Sequence, residues 1–227
     1  MKKLLIPAFL VGAVASANAV VLWNQPAADV NQNGYVNQEF ADFPTFSTYE
    51  VNDVNTGPGW IMEKITIRLQ TSSASWGAVN SARLNIFNKT GALPGAGDDP
   101  TTGTAVAVTM TNMGTNSGGF TLYDMVWTGS INVGAGDKWI GLTPVAAFGT
   151  AGQAFGIQVA KVGDASAYRN PGGGFGLGTA WGNSGMFGET DPRDNNIIIE
   201  GQVVPEPATL LALGAGLAAL AARRRKA

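Results

Sequence analysis

The chain has 227 residues, 45% of them hydrophobic and only 13% charged, with a formal net charge of −2. It contains no His and no Cys, which excludes Ser–His–Asp and Cys–His catalysis, disulfides and Cys-ligated zinc. The length suits one packed domain with peripheral segments, and the hydrophobicity is too high for a disordered chain.

The N-terminus reads MKKLLIPAFLVGAVASANA. Lys2 and Lys3 precede an apolar run from Leu4 to Val14, and Ala17-Asn18-Ala19 follows. A charged start, a short oily segment and small residues at Ala17 and Ala19 are the parts of a secretory signal peptide, residues 1–19. A retained membrane helix is the alternative, but the apolar run is short for a span. Cleavage after Ala19 leaves a mature chain that begins VVLWNQPAAD.

The segment DVNQNGYVNQEF places Asp29, Asn31 and Asn33 before Gly34, the oxygen spacing of a calcium loop. Phe40 stands where such a loop has a bidentate Glu, so the competing reading is an Asn/Gly turn. No metal and no cofactor are assigned.

Residues 20–203 read as strands. WIMEKITIRL puts Ile61, Glu63, Ile65, Ile67 and Leu69 on one face, and ARLNIFN alternates Ala82, Leu84 and Ile86 with Arg83, Asn85 and Phe87. TAVAVTMTN, GFTLYDMVW, DKWIGLT, AFGIQVAK and NNIIIEGQV follow, each bounded by Gly, Pro, Asn or Asp. The expectation is an all-β fold with roughly eight to ten short strands and almost no helix, an antiparallel β-sandwich of jelly-roll type.

Trp60 and Trp139 fall in strand patterns and are expected in the core. Trp76 and Trp181 fall in Gly/Ser-rich loops, where they are either buried or free to stack on a sugar. Asp98 and Asp99 sit together in a turn. YRNPGGGFGLGTAWGNSG is too Gly-rich for a strand and reads as a mobile surface loop, with a ligand lid as the alternative. Glu39, Glu50, Glu63 and Glu189 are the carboxylates available for acid–base chemistry, but nothing in the sequence pairs them. No enzyme is expected.

The chain ends on VVPEPATLLALGAGLAALAARRRKA. Residues 208–222 are apolar except for Thr209, and as a helix they span ~22 Å against a hydrocarbon core of ~30 Å. Arg223, Arg224, Arg225 and Lys226 follow and would stay on the cytoplasmic side, with the body outside. Pro205 and Pro207 forbid a helix through the preceding motif. GAGLAA fits a dinucleotide pattern, yet no strand precedes it.

Val204-Pro205-Glu206-Pro207, the short apolar span and the basic cluster resemble the PEP-CTERM sorting signal of Gram-negative bacteria. The resemblance divides the tail, residues 204–227, into a motif at 204–207, a single transmembrane helix at 208–222 and a basic end at 223–226. It implies processing by an exosortase, a membrane-embedded cysteine protease, and an association with exopolysaccharide and biofilm. The body is similar to the β-sandwich domain common in such proteins, on GWIMEKITI, LNIFNKTGALPG and AGDKWIGLTP. That likeness supplies no activity or binding residues.

Loss of the signal and the tail leaves 8 basic against 15 or 16 acidic groups, a charge of roughly −7 to −8. That charge argues against nucleic acid and anionic lipid surfaces as partners. The expectation is a non-enzymatic protein, membrane-anchored on the way to the cell surface or beyond it. There it acts as a structural matrix component or, alternatively, as a carbohydrate-binding module.

Overall fold

Twelve consecutive residues from Trp60 to Thr71 form one strand, long enough to run the full length of the body. The computed structural model describes residues 19–27, 34–205 and 214–216. In chain order the strands are β1 (Val20–Gln25), β2 (Glu39–Phe40), β3 (Tyr49–Asn55), β4 (Trp60–Thr71), β5 (Ser81–Asn88), β6 (Thr104–Ala107), β7 (Thr109–Thr115) and β8 (Thr121–Val133). They continue with β9 (Asp137–Ala146), β10 (Ala154–Gly156), β11 (Gln158–Val159), β12 (Ala167–Arg169), β13 (Gly182–Asn183), β14 (Asp194–Asn195) and β15 (Ile197–Val203). One short α-helix, α1 (Phe148–Ala151), and a few 3-10 turns lie between these strands. The fifteen strands exceed the expected eight to ten because Gly and Asn cut the stretch after β9 into pieces of two or three residues.

The first sheet has the order β1-β15-β4-β8-β7, with β10 paired to the end of β4. The second has the order β13-β12-β3-β9-β5-β6, and β2 runs parallel to β9 for two residues. All other pairings between the strands are antiparallel. The chain alternates between the sheets: β1, β4, β8 and β15 lie in the first, β3, β5, β6 and β9 in the second. Side chains from both sheets meet in one core, Ile65, Ile67 and Leu69 of β4 and Met125 of β8 with Leu84 of β5 and Leu142 of β9. Trp60, Trp127 and Trp76 belong to the same core.

Strand β4 departs from the expected single face. Trp60 and Met62 are buried and Ile61 is not, whereas Ile65, Ile67 and Leu69 are buried. Both ladders are irregular here: against β15 Glu63 is an extra residue, since Glu200 and Gly201 pair with Lys64 and Met62, whereas against β8 the extra residue lies on β8, between Thr128 and Ile131. Such a bulge moves every later side chain to the opposite face. Gly201 sits opposite it, and a Cβ there would fall 2.1 Å from the Ile61 carbonyl oxygen.

The second sheet is covered on both faces, so six of the seven residues of β3 are buried. Trp139 and Val51 point away from the main core and pack with Ala167 and Trp181 in a second apolar cluster, with Phe87 against it.

Candidate functional site

Both candidate sugar-stacking residues are buried, the first of the two readings their sequence left open. Trp76 is 0% exposed, locked in the main core from a 3-10 turn whose entry is capped by Ser73. Trp181 is 8% exposed, meets Phe87 edge-on at 5.9 Å and donates from Nε1 to the Asp98 carbonyl oxygen at 2.8 Å. An indole in a Gly-rich loop still gains most by leaving water. The loop is also more ordered than its composition implies. Ala167–Arg169 and Gly182–Asn183 are strands, and Asn170 Nδ2 donates to the Ser47 carbonyl oxygen at 3.0 Å. Gly172 and Gly174 are needed because a Cβ on either would strike Thr45 backbone atoms at 2.4 and 2.6 Å.

The carboxylates are dispersed into separate partnerships. Glu39 takes two hydrogen bonds from Arg83 at 2.5 and 2.7 Å, and they and Tyr49 outweigh burial to hold its pKa low. Glu63 accepts from Gln202 at 2.7 Å, and Glu189 from Gln158 at 2.7 Å. Asp99 caps a 3-10 turn through Thr101, and Asp98 accepts the Gly95 N–H at 2.7 Å.

Glu50 differs from these. It lies between the sheets at 1% exposure, and burial pushes its pKa up to about 8 against hydrogen bonds from Asn195 and Asn52. Around it stand Asn52, Ser166, Tyr168 and Asn195, all buried and linked: Ser166 Oγ and the Asn195 N–H both donate to Asn52 Oδ1, and Asn195 Nδ2 donates to the Tyr168 hydroxyl. Next to Asn195, burial raises Asp194 to about 6 even though the Val162 N–H and Gln25 Nε2 hydrogen-bond to its carboxylate. Gly156 closes over this group, since a Cβ there would lie 2.7 Å from Glu50 Oε2. Every residue of the cluster is at most 1% exposed. It is a buried polar network that fixes how β3, β12 and β14 meet. Sequence reasoning picked out Glu50 without its partners, because Tyr168 and Asn195 join it only through the fold.

The end of the body where the tail leaves is built differently. Strand β15 pairs with β4 up to Val203 opposite Trp60, and the Val204 N–H then donates to the Gly59 carbonyl oxygen at 2.9 Å. Pro205 has no N–H, so the ladder stops there by necessity. Val203 and Pro205 are exposed. The proline punctuation thus ends the sheet and releases the chain at its surface.

Residues 203–226 match the PEP-CTERM protein-sorting motif.

The PEP-CTERM motif implies an exported protein processed by an exosortase and held at the membrane before sorting. The match covers the tail and none of the body. No curated protein and no solved structure matches the chain. Of the PEP-CTERM residues, Val204 and Pro205 are described, whereas Glu206, Pro207 and the basic cluster Arg223, Arg224, Arg225 and Lys226 lie outside the described residues. Within the expected span 208–222 only residues 214–216 are described, and they are helical and exposed. No helix among the described residues is long and apolar enough to cross a membrane. Ala17 and the rest of the signal peptide, and Asp29, Asn31 and Asn33 of the calcium candidate, also lie outside them; Ala19 is described and exposed. Among the described residues no three acidic side chains gather as a metal site.

Proposed function

We propose that the protein is a non-enzymatic structural component of the cell surface or of an exopolysaccharide matrix, delivered by exosortase processing of its tail. The observation that carries this reading is the PEP-CTERM motif placed where the last strand ends, at Val203–Pro205. The body supports it through its carboxylates, which serve ion pairs, turns and a buried network. The alternative of a carbohydrate-binding module rested on Trp76 and Trp181, and their burial removes those two residues from its support. We further infer a jelly-roll-like β-sandwich: the strand sequence β1-β15-β4-β8 facing β3-β9-β5-β6 is the pattern of two interleaved Greek keys. The proposed division is a signal peptide at 1–19, the sandwich at 20–203 and the sorting tail at 204–227.

Intact-mass measurement of the protein recovered from an exosortase-bearing host tests the delivery. The expected product starts at Val20 and lacks the tail after the motif. A product that keeps Arg223–Lys226 overturns the sorting reading. Turnover assays on matrix polysaccharides are expected to detect none, and a hydrolysed product overturns the non-enzymatic reading.

A further inference from the structure

Five phenylalanines gather at the pole of the body opposite the sorting motif. Strand β4 leads from Trp60, opposite Val203, to Thr71, opposite Ala154, a distance of roughly 36 Å at ~3.3 Å per residue. At this far pole Phe40, Phe43, Phe46, Phe148 and Phe175, with Gln153, line a cleft of about 250 Å³. Phe40 is buried, but Phe43 is 50%, Phe46 39%, Phe148 47% and Phe175 45% exposed. Their rings meet at angles: Phe43 with Phe148 at 6.2 Å and Phe46 with Phe175 at 4.9 Å.

The walls are held in place. Asp42 accepts the N–H groups of Phe148 and Gly149 at 2.7 and 2.9 Å, which ties the Phe43 loop to α1. Phe175 has φ +58°, the only non-Gly residue with positive φ among those described. A bulky residue in that region is strained and persists because its surroundings demand it. Burial does not demand it here, since the ring is nearly half exposed.

We propose that this cleft binds the aliphatic chain of a neutral amphiphile. The exposed ring surface is roughly 350 Å² at ~200 Å² per ring, well short of the ~800 Å² per partner that a stable dimer buries. The volume of this open cleft suits a short chain or one ring. Among the described residues Gln153 is the only polar side chain in the lining, so the cleft has almost nothing with which to read hydroxyl groups, and sugar recognition depends on such placed donors and acceptors. Asp42 at the rim and the acidic body disfavour an anionic head. The pole points away from the end that faces the membrane before processing, so the cleft is open to molecules outside the cell.

The test uses the full chain in lipid nanodiscs, labelled with fluorophenylalanine and observed by fluorine NMR. The probes are n-alkyl glucosides of increasing chain length below their micelle concentrations, with glucose as the head alone and empty nanodiscs as the partition blank. Resonances of Phe43, Phe46, Phe148 and Phe175 should shift, with apparent affinity rising about fourfold per added methylene until the cleft is full. Glucose should leave them unmoved. Phe175→Gly, which removes both ring and strain, should weaken binding of the longest probe at least tenfold while leaving the melting profile in place. Phe43→Ser provides a second variant for the opposite wall. Three results overturn the proposal: equal shifts with glucose, shifts that follow protein concentration without probe, or no chain-length dependence in these four resonances.

Discussion

Val20 lies opposite Gly201 in the ladder between β1 and β15. The first strand described, β1, runs antiparallel to the last, β15. The chain enters the body at Val20 and leaves it at Pro205 from the same end, beside Gly59 and Trp60. The two peptide bonds expected to be cut, one after Ala19 and one near the motif, flank this end. Both expected cuts would thus fall at the end of the body from which the tail leaves. The separation of this end from the phenylalanine pole follows from the length of β4.

Replacing Pro205, Glu206 and Pro207 together with Ala should leave membrane insertion intact and block release, because the chain can then continue as helix through the motif. Neutral residues at Arg223 to Lys226 should instead weaken membrane retention, since the cations hold the tail on the cytoplasmic side. Membrane fractionation with intact-mass analysis separates the two outcomes. Normal release of the Ala variant would rule out recognition of the extended motif.

Glu50 makes stability depend on pH in a definite direction. Below pH 4.5, its ordinary value, the carboxyl holds a proton in both states. Between there and about 8 the unfolded chain has released that proton and the folded one keeps it, so stability falls as pH rises and the loss is complete above about 8. Asp194, raised to about 6, adds a loss of the same sign over a lower window. Glu50→Gln should flatten the slope between pH 6 and 8, a difference on the order of a few kcal/mol from the parent. Denaturant unfolding at several pH values measures it, and an unchanged slope would place the ionisation elsewhere.

Arg83 and Glu39 join β5 to β2 by two hydrogen bonds, with side chains 21% and 19% exposed. Arg83→Met should cost about 1–3 kcal/mol, because Glu39 is left half-buried without its cation. A double-mutant cycle with Glu39→Gln should return coupling of at least about 1 kcal/mol. A coupling near zero would show that solvent replaces the pair without loss.

Gly141 of β9 has no room for a side chain: a Cβ would sit 1.8 Å from the Glu50 carbonyl oxygen. Gly141→Ala must push β3 away from β9 and should destabilise by more than about 2 kcal/mol. Thermal unfolding is the measurement, and a shift below a degree would mean the two strands separate freely.

What the sequence determined by itself lies in local stretches. The prolines at 205 and 207, the apolar run and the cations are contiguous, and their chemistry depends on neither sheet. Alternation in β5 also reads correctly, with Ala82 and Leu84 inward, because that strand has no bulge. In β4 the same rule placed Ile61 on the wrong face, since the extra residue at Glu63 is visible only against β15. Trp76 and Trp181 looked like loop residues, and their loops fold back onto apolar surfaces contributed by distant strands. Glu50 acquires its raised pKa from burial between two sheets, and the Phe cleft assembles side chains from 40 to 175. These features are non-local: burial and pocket shape belong to surfaces that exist only after the strands pair, whereas a sorting signal must be readable as an extended chain.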